Sequence, residues 1–185
     1  MSRLSREEIR KRFESSNDFN EIFDTFEQAL EQNVDDMELY RTLFWNQSLT
    51  PDELCMFAEK LVKQFPALAY ETYMWLANVF EVIYSMFDNY QLAVEYYGKA
   101  AAIRPTEAEP YVRAADCYDP DLNIPPLEGL IQFLQLGEDL VHVPRPLFQR
   151  LSYLYGIAGD NEKSHEYRRK ADEGHTSPEV PPPAP

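Results

Sequence analysis

Residues 74–105 read MWLANVFEVIYSMFDNYQLAVEYYGKAAAIRP, and the spacing of small and large apolar side chains in this stretch decides the fold. Ala77, Phe80, Glu81 and Tyr84 fall on one predicted helix, and Ala93, Tyr97 and Ala100 on a second. The break between them is expected near Asp88 and Asn89, and Pro105 closes the segment because proline cannot continue a helix interior. Small residues at a crossing let two helix axes approach closely, while bulky residues fill the space toward the next pair. Both helices carry apolar residues at the three- and four-residue spacing of a buried helical face.

The pattern returns along the chain. Thirty-four residues on, Tyr111, Ala114, Ala115 and Tyr118 occupy the first-helix positions, with Leu127, Ile131 and Leu134 on the second. A further 37 residues on stand Phe148, Leu151, Ser152 and Tyr155, then Ser164, Arg168 and Ala171, with Gly159-Asp160 at the turn between the helices. This register resembles the tetratricopeptide repeat over residues 74–172. The resemblance implies an all-α, right-handed superhelical stack of antiparallel helix pairs. Residues 1–73 then read as divergent repeats or a cap, residues 74–173 as the repeats, and residues 174–185 as a proline-rich tail. End units of such a stack show water one face, so atypical caps are expected.

Helix signals fill the N-terminal part as well. Ser5 with Glu8 is a capping-box pattern. Over residues 18–32, Phe19, Ile22, Phe23, Phe26, Ala29 and Leu30 fall within one arc, and Asp18, Glu21, Asp24, Glu27 and Glu31 fill the other. Residues 37–46 read as a further helix. Thr50, Pro51 and Glu53 combine an N-cap, a first-turn proline and a capping acid, opening a helix that stops before Pro66. Later helices are expected from Thr106 and Glu109 to Tyr118, over 126–136, over 146–157 and over 160–172. The middle pair replaces its tight turn with residues 119–126, which hold Pro120, Pro125 and Pro126, so shortened helices around an irregular loop are expected there.

Composition narrows the function classes. The 185 residues are 44% hydrophobic and 14% aromatic, which excludes a disordered chain. Thirty-two acids against 17 bases give a net charge of −15, the reverse of a nucleic-acid-binding footprint. Residues 13–40 carry nine acids and no base, while residues 1–12 are net positive and are expected to pair with the acidic helix that follows. Residues 72–80, between Glu71 and Glu81, are too few to span a bilayer. Cys55 and Cys117 read as small core residues, and the cytoplasm is the expected compartment. His142, His165 and His175 have no second histidine or cysteine at metal spacing. No phosphate-loop or dinucleotide fingerprint occurs. No catalytic, cofactor or metal residue is nominated.

Function is therefore expected on the repeat surface. The resemblance implies a groove lined by first helices that takes a peptide or partner helix. Its register nominates Trp75, Asn78, Val79 and Val82, then Glu109, Val112, Arg113 and Asp116, then Gln149, Arg150 and Tyr153. Asn and Gln amides can hold an extended backbone, and arginine can grip a carboxylate in a two-bond fork. Arg113 and Arg150 stand at equivalent sites. The expectation is a non-catalytic protein-binding scaffold. The alternatives are a small acidic chaperone of secreted proteins and a structural subunit of a larger assembly. A homo-oligomer is compatible with the sequence but not indicated by it. The tail carries Pro178 with Pro181 and Pro182 with Pro185 in P-x-x-P spacing, a polyproline II signature.

Overall fold

The computed structural model describes residues 3–83 and 89–173. Tyr84, the break at Asp88, His175 and the tail 174–185 lie outside the described residues. Packing divides the chain into two compact units, Met1–Ile103 and Arg104–Pro185. Among the described residues there are ten α-helices and no strand, only an isolated bridge between Asp119 and Ile124.

The first unit holds α1 (Arg6–Ser15), α2 (Phe19–Glu31), α3 (Met37–Phe44), α4 (Pro51–Gln64), α5 (Ala69–Val82) and α6 (Asn89–Ile103). Local chemistry starts most of them. Ser5 and Glu8 close a reciprocal capping box on α1, and Thr50 and Glu53 close another on α4 with Pro51 in its first turn. Asp18 accepts from the Asn20 amide at 2.9 Å, and Asp36 from the Glu38 amide at 3.1 Å. Each such cap stabilises its helix by about 1 kcal/mol. Pro66 ends α4 and opens a single 3-10 turn, Pro66–Leu68, ahead of α5.

Helices of the first unit alternate. The odd-numbered ones pack in line, α1 on α3 and α3 on α5, while α1 also pairs with α2 and α5 with α6. The even-numbered ones touch through side chains. Phe57 of α4 sits against Phe19, Phe23 and Phe26 of α2, the last at 4.8 Å between ring centroids. Glu59 of α4 accepts from Tyr96 and Lys99 of α6 at 3.4 and 2.7 Å. Ala77, Ala93 and Ala100 are fully buried, as a close crossing of α5 and α6 requires. The helices before residue 69 follow the same alternation as α5 and α6. The basic start does meet the acidic helix, through Arg12 and Glu21 at 3.6 Å.

The second unit holds α7 (Glu109–Asp116), α8 (Leu127–Leu136), α9 (Arg145–Ile157) and α10 (Asn161–Glu173). Here α7 packs on α8 and α9, α8 on α9, and α9 on α10. Tyr111 stacks on Phe133 at 5.0 Å. A side chain at Gly137 would put its Cβ 3.0 Å from the Tyr111 ring, so that position requires glycine or a displaced ring. Ser152 and Ser164, both predicted at close-packing positions, donate to each other's carbonyls at 2.9 and 2.8 Å and bring α9 against α10. Gly159 turns the chain there with φ +79, a backbone region open to glycine.

One local expectation needs correction. Thr106 and Glu109 do not cap α7: its N-cap is Ala108, which makes no side-chain hydrogen bond, and Pro110 sits in the first turn. The Thr106 carbonyl instead accepts from the His142 amide at 3.0 Å. The irregular loop forms as anticipated and leaves α7 and α8 short, but its middle is ordered by Asp119, whose carboxylate accepts from the amides of Asp121 and Leu122.

Candidate partner-binding surfaces

In the first unit, α1, α3 and α5 border a cleft of about 450 Å³ lined by Arg10, Glu14, Arg41, Thr42, Trp45 and Trp75, with Glu38 and Asn46 beside them. Helical spacing sets the lining. Arg10 and Glu14 are one turn apart on α1, as are Arg41 and Trp45 at the end of α3. The two indoles lie 6.0 Å apart, tilted by 46°. The Arg41 guanidinium lies 4.9 Å from the centre of the Trp75 ring and pairs with Glu38 one turn back. A cation over an indole contributes from about 0.5 kcal/mol at an exposed site to about 2 when desolvated.

Asn46, also in the lining, ties neighbouring elements together. Its amide donates to the carbonyls of Phe13 and Ser16 at 2.8 and 2.9 Å, and its oxygen accepts from Ser48. The carbonyls at the C-terminal end of α1 are thereby tied to the end of α3.

Two donors in the cleft are unsatisfied. Trp75 Nε1 and Arg41 Nε are both buried, and among the described residues neither has a hydrogen-bond acceptor. A buried polar group left unpaired costs about 1–3 kcal/mol. Both groups are donors only, so the chemistry that would satisfy them is a carbonyl or carboxylate oxygen.

The nominated residues divide accordingly. Trp75 lines the cleft. Asn78 is half-buried and Val82 is 55% exposed on the next turn of α5, outside the cleft lining. Val79 belongs to the core, with no exposed surface, and is corrected from groove to packing. In the second unit Val112 and Arg113 are half-buried and Glu109 is exposed. Asp116 and Arg150 hold each other: Arg150 Nε and Nη2 donate to the two Asp116 oxygens at 2.6 and 3.2 Å. The two-bond fork expected for a ligand carboxylate thus holds a carboxylate of the chain itself, linking α7 to α9. Gln149 and Tyr153, both exposed, line a separate cleft of about 570 Å³ between α9 and α10 with Ser152, Ser164 and Arg168.

Arg10, Arg41, Thr42 and Trp45 were not nominated, because residues 1–73 read as divergent repeats or a cap and the groove register covers only residues 74–172. One signal was present: Trp45 is one of only two tryptophans in the chain, and the other was nominated. Neither cysteine takes part. Cys117 is buried, its thiol donating to the Arg113 carbonyl, and Cys55 is half-buried. No helix among the described residues is long and apolar enough to cross a membrane.

Alternating helices with small residues at their crossings define an all-α fold of the tetratricopeptide-repeat type. Solved structures with this fold align along most of the chain. A crystal structure of MamA protein aligns over 91% of this chain and 89% of its own, with a TM-score of 0.53 at 18% identity. A second MamA crystal structure covers 89% and 91%, with 0.52 at 19%. MamA from residue 41 to its end, from Desulfovibrio magneticus RS-1, covers 95% and 100%, with 0.52 at 16%. At this identity the likeness shows the fold. No family model and no curated protein matches the chain.

Proposed function

We propose that this chain is a non-catalytic protein-binding module and that the cleft bordered by α1, α3 and α5 is its main contact surface. The observation that carries the reading is the pair of buried donors, Trp75 Nε1 and Arg41 Nε, beside two indoles. Tryptophan and arginine dominate the binding energy of protein interfaces because each buries a large area and offers directed donors. Helices hold these groups, so little ordering cost is added when a ligand arrives. The net charge of −15 disfavours nucleic acid as the partner. Gln149 and Tyr153 offer a further contact region within the second unit.

Capture of partners from native lysate by the wild-type chain, identified by mass spectrometry, supplies the ligand for measurement. Trp45→Ala and Trp75→Ala should then each weaken its binding about 30-fold or more, corresponding to about 2 kcal/mol at a central anchor. Replacing Glu21, Asp24 and Glu27 by Gln should leave affinity nearly unchanged. Arg113→Ala with Arg150→Ala should have a smaller effect than either tryptophan change, because Arg150 already holds Asp116. Full binding by both tryptophan variants, with helical content intact, would remove the cleft from this role.

A further inference from the structure

The cleft asks for an unusual ligand. Its two unsatisfied groups donate and accept nothing, and its walls are indole faces. Its charged lining is balanced, Arg10 and Arg41 against Glu14 and Glu38. A strongly acidic ligand gains little from that balance and meets repulsion from a chain of charge −15. An ordinary extended peptide brings its own amide donors, and a cleft offering more donors leaves those to be satisfied elsewhere.

A proline-rich segment fits each of these conditions. Proline has a carbonyl acceptor and no N–H. Its ring is a flat apolar body of a size to sit against an indole, and its backbone is already extended, so binding orders little. The chain itself carries such a segment: residues 177–185, SPEVPPPAP, hold five prolines and one charged side chain. In polyproline II form nine residues span about 28 Å at about 3.1 Å each. Two steps between packed helices, from α1 to α3 and from α3 to α5, come to about 16–20 Å. Nine residues therefore suffice to cross the cleft.

We infer that the cleft formed by Arg41, Trp45 and Trp75 binds the proline-rich segment 177–185 of a second copy of this chain, its carbonyl oxygens accepting from Trp75 Nε1–H and Arg41 Nε–H. A second copy brings the segment as a separate molecule. Such a contact joins unlike surfaces, so it adds copies head to tail and depends on concentration. The inference rests on the reading of the cleft as a binding surface.

Both tryptophans of the chain lie in the cleft, so tryptophan emission reports on it alone. The experiment compares the full wild-type chain with a full-length variant carrying Pro181→Ser, Pro182→Ser and Pro183→Ser. With rising concentration the wild type should sediment faster and its emission should move to the blue as the indoles lose water. The variant should do neither. A synthetic peptide of residues 174–185 should restore the blue shift in the variant, and adding Trp45→Ala should weaken the peptide at least tenfold, read by calorimetry. Self-association of the variant equal to wild type, a wild-type emission that does not depend on concentration, or a peptide without effect at millimolar levels would each overturn the inference. If the peptide fails while Trp45→Ala still abolishes capture of a partner from lysate, the second-copy segment alone is excluded. If Trp45→Ala also leaves capture intact, the cleft itself is excluded.

Discussion

The odd-numbered helices of the two units are built on the same alternation and end in opposite states. Between α3 and α5 the meeting groups are Arg41, Trp45 and Trp75, and two donors have no acceptor among the described residues. Between α7 and α9 the meeting groups are Asp116 and Arg150, a donor fork and a carboxylate that satisfy each other. One seam carries a paired fork and carboxylate, and the other carries two donors without an acceptor among the described residues. The repeat geometry therefore supplies a scaffold without specifying a site. The side chains at the seam decide which of its polar groups are paired.

The largest test of that contrast is Phe57→Ala. Phe57 is fully buried among three phenylalanines of α2, and truncating such a ring costs about 3–5 kcal/mol. Amide hydrogen exchange should show loss of protection concentrated in residues 3–83 and 89–103, with residues 104–173 changed far less. Equal loss in both would break the division into two units.

Ala100→Leu should come next. Overpacking a well-filled crossing costs about 1–3 kcal/mol, and Ala100 has no exposed surface. A melting temperature equal to wild type would mean that the small residue is not required where α5 meets α6.

Alkaline pH probes the second unit. Burial, together with a hydrogen bond to Glu138, pushes the Tyr167 phenol up to about 12. Above pH 10 the unfolded chain releases this proton, whereas the native chain keeps it until about pH 12. The native state binds more protons across that window, so the contribution is fully present below pH 10 and is lost as pH rises through 12. Tyr167→Phe should flatten the fall in denaturation midpoint over that range. An unchanged slope would show that the Tyr167 phenol does not keep its proton above pH 10.

The smallest expected effect sharpens the comparison most directly. Asp116 and Arg150 are both substantially exposed, and pairs in such settings couple by about 0.2–1 kcal/mol. A double-mutant cycle with Asp116→Ala and Arg150→Ala should give a value in that range, falling with added salt. Zero coupling at low salt would leave the face between α7 and α9 as open as the one between α3 and α5.

Most helix boundaries were legible because the forces that set them are local. Ser5 with Glu8, Asp18, and Thr50 with Pro51 and Glu53 start helices through groups within three residues of one another. Pro66 ends a helix through its own ring. The buried alanines of α5 and α6 and the facing serines of α9 and α10 were also legible, since periodicity reports which face of a helix is covered. The exception at Thr106 is instructive: its capping pattern was present, but the helix begins at Glu109 with Pro110 in its first turn, and the Thr106 carbonyl accepts from a distant amide at His142.

The candidate surface was only partly legible. Trp75 lines the cleft whereas Val79 is buried in the core, and the two differ by a single helical turn. Which of them is covered depends on what packs against α5, a matter of α3, α4 and α6 rather than of α5 alone.

The sequence by itself determined the helical class, the caps, the small-residue crossings and the acidic surface, because each follows from side chains a few residues apart. Only the tertiary structure decided that Trp45 meets Trp75, that Asn46 ties down the end of α1, and that Arg150 is engaged by Asp116. Those partners stand 30 to 34 positions apart along the chain. Local propensity carries no information at that distance. The stacking of whole helices sets which exposed-looking side chain meets a partner, and so which donor is left waiting for one.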